Sequence, residues 1–222
     1  YVAGGKGKPQ TVPIGQDGSQ TAPTNPLFSL QLTPSLQKEW VRLPDFPGPA
    51  RVQPVLTAQQ SEDGIRLYLA GGFQPASAHQ EAIVCTDMLS YHPKTKQWRN
   101  EGFLPSLAGG SHRTVTGGCA IASGDSSILL VGGVNYDRFR DALNHPEPDY
   151  LLHPADWYKF NTSLLQYNTF TKHWTHLGNY EELARAGAGI ANNANTVIII
   201  GGELKPGIRT PEVNAFKLTR HP

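Results

Sequence analysis

The sequence predicts an all-β protein built from repeated units. Apolar runs rich in β-forming residues end in a glycine pair four times, at intervals of about 60 to 70 residues. At least one tryptophan stands between each two successive pairs, and these stretches show strand signals without a helical pattern. The pairs are Gly4-Gly5, Gly71-Gly72, Gly132-Gly133 and Gly201-Gly202, and the tryptophans are Trp40, Trp98 and Trp174. A period of this kind predicts the scaffold and leaves its ligand open.

The composition argues against several classes of function. No apolar run approaches the ~20 residues that a membrane-spanning helix needs, so we expect no membrane among the partners. Lys and Arg number 19 against 18 Asp and Glu, and no basic block stands out, so we expect no nucleic acid. The 8 histidines show no catalytic or zinc pattern. For Cys85 and Cys119, buried free thiols are the favoured interpretation and a disulfide is the alternative.

The units divide into strands. The middle two are predicted to have four strands each, and the first and last to have three. The predicted ranges are 1–5, 27–32 and 39–41 in the first unit, 51–57, 65–72, 86–91 and 97–99 in the second, 116–122, 127–133, 163–167 and 173–175 in the third, and 188–191, 197–202 and 213–218 in the fourth. The firmest internal match is between residues 88–91 and 164–167, because a turn and a tryptophan follow each of them.

The loop after the fourth glycine pair carries more chemistry than a scaffold turn needs. Glu203, Lys205 and Arg209 surround a Pro-Gly turn directly after the most apolar strand. An arginine in a partly desolvated cleft is suited to bidentate binding of a carboxylate, and a nearby glutamate is suited to proton transfer. The alternative is a solvated turn with a local ion pair.

A long insertion at 134–161 interrupts the third unit. Residues 135–143 are predicted to form a short helix, and aromatic and proline-rich sequence follows it. Long loops on a rigid scaffold commonly serve as lids or binding loops, so we expect such a role for this segment. The alternative is packing over the end of the unit without a function of its own.

The repeating order of apolar run, glycine pair, alternating strand, turn and tryptophan resembles the kelch repeat, one blade of a β-propeller. Several segments are also similar to the bacterial sialic acid mutarotases (N-acetylneuraminate epimerases), and Pro49-Ala50-Arg51-Val52-Gln53-Pro54 resembles their cyclically permuted branch. The segments similar to the family are Gly132-Gly133-Val134-Asn135, Phe160-Asn161, Ala184-Arg185-Ala186-Gly187-Ala188 and Gly202-Glu203 through Arg209. The resemblance covers most of residues 44–218.

This resemblance implies a kelch-type propeller with six blades, of which residues 1–222 supply about three and a half four-stranded blades as one partial domain. Removed sequence, another chain or a homo-oligomer would then complete the ring. The chain starts without Met or a signal peptide, so we expect either a removed segment or a piece of a larger protein. A β-propeller needs at least ~4 blades to close into a ring.

The resemblance also implies an activity, the interconversion of α and β anomers of free sialic acid, commonly in the periplasm. The implied catalytic residues are Glu203 as the acid–base group and Arg209 as the carboxylate-binding group. The reaction calls for neither a redox cofactor nor a metal. The predicted substrate-binding set is Arg51, Arg113, Asn135, Arg185 and Lys205. For the three arginines, near the starts of innermost strands, structural pairing with carboxylates is an equally open interpretation.

The main alternative function is a non-enzymatic kelch propeller that binds a protein or glycan partner through its loops. A copper oxidase of the kelch type would need suitably placed Tyr, Cys and His ligands, and the sequence shows no such set.

Overall fold

The computed structural model describes residues 1–5, 25–32, 38–107, 109–193 and 195–218. Within these ranges, four antiparallel sheets follow one another along the chain. The first and last sheets have three strands and the middle two have four, which confirms the predicted division. Two additional short hairpins lie between strands of the second and fourth sheets.

The strands are numbered in chain order. The first sheet contains β1 (Val2–Ala3), β2 (Leu27–Leu32) and β3 (Lys38–Leu43). The second sheet begins with β4 (Val55–Ser61) and β5 (Gly64–Ala70), continues through the hairpin of β6 (Phe73–Gln74) and β7 (Ile83–Val84), and ends with β8 (Asp87–His92) and β9 (Gln97–Phe103).

The third sheet carries the insertion. Its strands are β10 (Cys119–Ser123), β11 (Ser127–Val131), β12 (Ser163–Asn168) and β13 (Trp174–Asn179). Between β11 and β12 lie helix α1 (Tyr136–Asn144) and two 3₁₀ turns, Tyr150–Leu152 and Ala155–Tyr158. A third 3₁₀ turn, Glu181–Leu183, leads to the fourth sheet of β14 (Gly189–Asn193), β15 (Thr196–Ile200) and β18 (Val213–Lys217), with the hairpin of β16 (Glu203–Lys205) and β17 (Ile208–Arg209) inside it.

The sheets are arranged radially. Strand order within each sheet follows chain order, and β10 lies beside both β4 and β14. The first strands of neighbouring sheets are therefore adjacent, as they are around the axis of a β-propeller. The predicted kelch-type propeller is confirmed, and each sheet is one blade.

Apolar cores between the blades hold them together. Leu130 of β11 belongs to the same buried cluster as Tyr68 of the second blade. Its neighbours Leu129 and Val131 lie in a different cluster, together with Val197 of the fourth blade. Because strand side chains alternate between faces, one apolar strand supplies the cores on both sides of its blade. Burying each such side chain stabilises the fold by roughly 1.5–3 kcal/mol.

The tryptophans occupy equivalent positions on the outermost strands. Trp98 pairs in register with Tyr91, and Trp174 pairs in register with Tyr167. The ring centroids lie 5.0 and 4.7 Å apart in the two pairs. Trp40 takes the same place on β3 of the first blade. The repeat read from the sequence is therefore a structural repeat as well.

The glycine pairs are contact points between blades. Gly132 has a φ of 66°, and a Cβ there would lie 2.6 Å from the carbonyl oxygen of Arg185, at the entry to the next blade. Gly4 meets the carbonyl of Arg51 in the same way. The second glycine of each of these pairs donates its N–H to that same carbonyl at 2.8 Å. Only a residue without a side chain permits this backbone approach.

The fourth glycine pair differs from the others. The atom nearest to a Cβ built on Gly201 is the carbonyl oxygen of Thr210, at 3.3 Å and in the same blade. Ile200 and Val213, on the adjoining strands, are 47% and 61% exposed. Within the described residues, this pair has no following blade against it.

Two first strands start later than predicted. The predicted range 51–57 is replaced by β4, which begins at Val55, because Gln53 has a φ of 54° and Pro54 lacks an N–H for a strand ladder. The predicted range 116–122 is replaced by β10 from Cys119, after Gly117 with a φ of 69°. The residues before each strand form the connection between blades.

Cys85 and Cys119 are buried free thiols, as the sequence favoured. No helix among the described ranges is long and apolar enough to cross a membrane.

Candidate active site

The predicted site residues all lie in connections at one end of the blades. Neighbouring strands are antiparallel, so the connection from a blade's second to its third strand emerges at the same end as the connection to the next blade. Contacts join these connections into one face. Phe73 of the second blade packs edge-on against Phe139 of α1, with ring centroids 5.1 Å apart. The backbone N–H of Ala82 donates to Oδ1 of Asn144 at 2.7 Å.

Glu203 and Arg209 lie opposite each other in the β16–β17 hairpin. Nε of Arg209 is 3.5 Å from Oε1 of Glu203, and the two side chains are 82% and 31% exposed, respectively. The backbone of Glu203 both donates to and accepts from that of Ala186, at 2.7 and 3.0 Å. The structure thus holds the carboxylate on a fixed backbone beside an exposed guanidinium. The catalytic roles of both residues stay predictions.

Lys205, in the same hairpin, contacts the insertion. Its Nζ donates to the carbonyl oxygen of Leu151 at 3.1 Å and to that of His153 at 2.6 Å. These contacts fasten residues 134–161 to the fourth blade. Lys205 therefore positions the insertion, and its role in substrate binding stays a prediction.

Arg51 and Arg185 make equivalent ion pairs inside their blades. Nη2 of Arg51 donates to both carboxylate oxygens of Asp87, at 3.0 and 2.7 Å, and Nη1 donates to the carbonyl of Gly71 at 3.1 Å. Arg185 repeats this pattern. Its guanidinium donates to the carboxylate of Glu212 at 3.0 Å and to the carbonyl oxygen of Gly201, the first residue of the glycine pair in its own blade, at 3.2 Å. Both guanidinium groups therefore make the structural pairs that the sequence left as an alternative to substrate binding.

The third blade uses an amide where the other two use a guanidinium. Nδ2 of Asn161 donates to the carbonyl oxygens of Gly132, Thr114 and Val134, at 3.2, 2.8 and 3.0 Å. It thereby ties both ends of the insertion to the entry of the third blade. The sequence signal for this role was the Phe160-Asn161 match at the end of the insertion, but Asn161 was absent from the predicted site.

Arg113 differs from the other two predicted arginines. It is 8% exposed, and its Nε and Nη1 are buried without a hydrogen-bond partner. Burial alone lowers the pKa of its guanidinium. Neither an ion pair nor a hydrogen bond of this side chain occurs among the described residues. The guanidinium groups of Arg51 and Arg185 are already engaged in ion pairs, whereas that of Arg113 has no such partner in the described ranges. The role of Arg113 in substrate binding stays a prediction.

Asn135 begins the helix of the insertion. Its side-chain oxygen accepts from the N–H of Arg138 at 3.0 Å, an N-cap contact. The helix predicted over 135–143 is observed as α1 at Tyr136–Asn144. The oxygen of Asn135 is thus used to cap the helix, and its binding role stays a prediction.

Aromatic packing makes the insertion a small ordered unit. Val134, Tyr158 and Phe160 are buried together, with Phe139 and Trp157 packed against them. The guanidinium of Arg138 lies 4.5 Å from the centre of the Trp157 ring, a favourable cation–π distance. The lid function predicted for 134–161 is untested, whereas its packing is that of a preformed element.

One group of side chains could hold a metal ion within the described part of the chain. The ligand atoms of Glu147, Asp149 and His153 all lie within 4.8 Å of one another. Both carboxylates are exposed, and the ring of His153 stacks on Trp157 with centroids 3.9 Å apart. Exposed acidic groups in this arrangement are common on proteins that bind no metal.

A wide groove lies away from the predicted residues. It has a volume of about 1320 Å³ between the third and fourth blades and is lined by residues such as Gln166, Tyr180 and Phe216. It includes the β10–β11 turn, at the opposite end of the blades from Glu203. The lining of this groove contains neither Glu203 nor Arg209, so the predicted acid–base site and the groove are separate features.

The blades and the Glu203–Arg209 pair together define a kelch-type β-propeller with a candidate acid–base site on one face. The sequence model of the N-acetylneuraminate epimerases matches residues 10–221. The chain belongs to this family.

Individual relatives agree with this assignment. The chain is 27% identical over 215 residues to the N-acetylneuraminate epimerase of Pasteurella multocida (strain Pm70), covering 90% of this chain and 52% of the relative. It is 30% identical over 192 residues to that of Haemophilus influenzae (strain PittEE), covering 82% and 48%. The solved structure of YjhT superposes with a TM-score of 0.68 at 27% identity, covering 87% of this chain and 59% of YjhT. The chain spans about half the length of the curated relatives it matches.

Proposed function

We propose that the protein interconverts the α and β anomers of N-acetylneuraminate or a related sugar acid by acid–base ring opening and closure. Family membership supports the class of reaction. The observation that carries the assignment to residues is the pairing of Glu203 with Arg209, 3.5 Å apart on one hairpin. A proton acceptor and a group that binds the substrate's carboxylate are two of the functions that this reaction uses.

The chemistry follows from the substrate. A sialic acid ring is a cyclic hemiketal with a carboxylate on its anomeric carbon. Arg209 binds that carboxylate with its exposed guanidinium. Glu203 accepts the proton of the anomeric hydroxyl while an acid or a water protonates the ring oxygen. The C–O bond of the ring breaks to give an open-chain ketone.

Closure reverses these proton transfers. The ketone carbonyl turns its other face to the hydroxyl whose oxygen had been in the ring, and the new C–O bond gives the opposite anomer. A positioned general acid or base typically contributes about 10²–10⁴-fold to such a step. This magnitude is sufficient for a reaction that already proceeds unaided in water.

The test is the rate of anomer exchange measured by NMR on freshly released N-acetylneuraminate. The protein should be assayed in the assembly that it forms, as wild type and as Glu203→Gln. We expect a wild-type rate well above the spontaneous rate and a loss of about 10²–10⁴-fold in Glu203→Gln. Glu181→Gln, which changes a carboxylate in the turn before the fourth blade, is the control and should leave the rate unchanged.

A wild-type rate equal to the spontaneous rate contradicts the proposal. If the same protein binds sialylated glycans or another protein without accelerating exchange, the non-enzymatic propeller becomes the correct interpretation.

We propose further that the blades missing from the ring come from additional sequence, another chain or a second copy. The exposed face of the fourth blade, with Ile200 and Val213, supports this, as does the share of the relatives' length that the chain covers. A periplasmic or secreted location, proposed from the family resemblance alone, would be tested by cell fractionation.

A further inference from the structure

Arg113 is an exception among the deeply buried arginines. Four arginines in the described residues are less than 9% exposed: Arg51, Arg66, Arg113 and Arg185. Three of them have a carboxylate partner at 2.6–3.0 Å, supplied by Asp87, Asp63 and Glu212. Arg113 has no such partner in the same ranges, and two of its nitrogens are buried without any hydrogen bond.

A buried guanidinium without a partner is costly. Removing a charge from water costs several kcal/mol unless a counter-charge and hydrogen bonds replace the lost hydration. An arginine cannot avoid this cost by giving up its proton at ordinary pH, because the intrinsic pKa of a guanidinium lies far above neutral pH. The site is therefore arranged to receive an anion, and the planar fork of N–H donors matches a carboxylate.

The location of Arg113 connects it to the insertion. The next residue, Thr114, accepts the hydrogen bond of Asn161 at the end of the insertion, at 2.8 Å. The residue before it, His112, packs edge-on against Tyr136 at the start of α1, with centroids 5.2 Å apart. The neighbours of Arg113 in sequence thus contact both ends of the insertion.

Backbone contacts also connect its loop to the candidate acid–base site. Gly117, four residues after Arg113, accepts the N–H of Gly187 at 2.7 Å, and the preceding Ala186 pairs with Glu203. The connection that carries Arg113 and the backbone that carries Glu203 are therefore linked by hydrogen bonds through the loop of residues 186–187.

We propose that Arg113 is an anion-binding residue of this face and that its ligand is the carboxylate of a sugar acid. The identity of the ligand rests on the proposed function, whereas the anion site does not. A carboxylate has two oxygens with about four acceptor positions, so one acid group matches the fork of donors that Arg113 presents. Arg113 determines specificity by recognising the acid and rejecting its neutral ester.

The first test measures binding without turnover. Affinities of N-acetylneuraminate and of its neutral methyl ester are measured by titration calorimetry or saturation-transfer NMR for wild type and Arg113→Met. We expect the variant to lose about 10–100-fold affinity for the acid and to keep its affinity for the ester, the usual effect of losing a charge-assisted hydrogen bond. Arg140→Met, which removes an exposed cation from α1, is the control and should retain the preference for the acid.

The second test separates binding from a structural role. Since Arg113 has no ion-pair or hydrogen-bond partner among the described residues, we expect Arg113→Met to melt at or above the wild-type temperature. Arg185→Met, which removes one partner of an ion pair, should melt lower. Arg113→Lys keeps the charge without the bidentate fork and should show an intermediate loss of acid affinity.

Three results would overturn the proposal: unchanged acid affinity in Arg113→Met, an equal loss for acid and ester, or a fall in melting temperature as large as that of Arg185→Met. Failure of the proposed function is a different outcome. A wild type that prefers the acid over the ester through Arg113 but does not accelerate anomer exchange supports the anion site and contradicts the mutarotase assignment.

Discussion

Tyr167 of the third blade donates its phenolic O–H to the carboxylate of Glu101 on the second blade, at 2.9 Å. The Glu101 side chain is only 3% exposed. It also accepts from Oγ of Ser90 at 2.5 Å and from Nε of Arg99 at 2.8 Å. One buried carboxylate thus joins the outer strands of the second and third blades through three donors.

Replacing this carboxylate should destabilise the protein. Glu101→Gln leaves Arg99 without its buried charged partner and provides poorer acceptors to Tyr167 and Ser90. We expect the free energy of unfolding in urea to fall by about 2–4 kcal/mol. Glu62→Gln removes the exposed partner of Arg99, 3.4 Å away, and should change it by less than about 1 kcal/mol. Equal effects of the two substitutions would contradict the role of Glu101.

The same carboxylate should make stability depend on pH. Burial raises the pKa of Glu101, but hydrogen bonds from Ser90, Arg99 and Tyr167 outweigh burial and hold the pKa below its ordinary value of 4.5. A lowered pKa in the folded state means that this stabilisation is complete above pH 4.5 and is lost as the pH falls through the folded-state pKa. Urea unfolding at a series of pH values should show a shallower acid-side decline in Glu101→Gln than in wild type.

Asp63 should contribute at lower pH. The hydrogen bond from Arg66 is the main cause that lowers the pKa of Asp63 from 3.8 to about 2. Its contribution is therefore retained above pH 3.8 and lost as the pH falls towards about 2. The acid-side decline of Asp63→Asn should be reduced in this lower window and not between pH 4.5 and pH 7. A change confined to neutral pH would contradict this assignment.

The two thiols should be unreactive in the folded protein. Burial raises the pKa of Cys85 and of Cys119 to about 11, and the thiolate is the reactive form. We expect a disulfide reagent such as DTNB to label neither residue within minutes at pH 8, and to label both in denaturant. Rapid labelling of the native protein would show that these blade boundaries open easily.

The contact between a glycine pair and the next blade can be tested with a matched pair of glycines. Gly132 and Gly187 both have positive φ, 66° and 63°, but a Cβ on Gly132 meets the Arg185 carbonyl at 2.6 Å, whereas one on Gly187 meets nothing within 4 Å. We expect Gly187→Ala to cost about 1 kcal/mol through backbone strain alone. Gly132→Ala should cost more than about 3 kcal/mol, because the neighbouring blade must move. Similar losses of stability in both variants would contradict the contact.

The sequence predicted the features that repeat locally and missed those that depend on contacts between distant loops. Trp98 and Trp174 were identified because each follows a strand and turn of the same pattern. The three arginines looked alike in sequence, yet Arg51 and Arg185 are ion-paired and Arg113 is not. A spacing signal exists: Arg51 and Arg185 lie four positions before their strands, at Val55 and Gly189, while Arg113 lies six before Cys119.

The candidate site shows the same division. Glu203 and Arg209 are brought together by a turn that the sequence itself specifies, with Gly207 at a φ of 79°. The contacts of Lys205 with the insertion and of Asn161 with the third blade join residues far apart in sequence, so no local pattern reports them.

The glycine contacts give the propeller a direction. Each glycine pair of the first three blades contacts the segment that leads into the following blade, so the contact always points from one blade to the next. Gly201, in the last described blade, has the same backbone conformation, with a φ of 60°, but among the described residues it faces only the Thr210 carbonyl of its own blade. A gene that gains, loses or permutes blades therefore needs to preserve one close contact at each boundary, between the glycine pair of one blade and the segment that enters the next. Adding a blade by duplication, or dividing the chain between two blades, therefore requires one such contact to be re-formed.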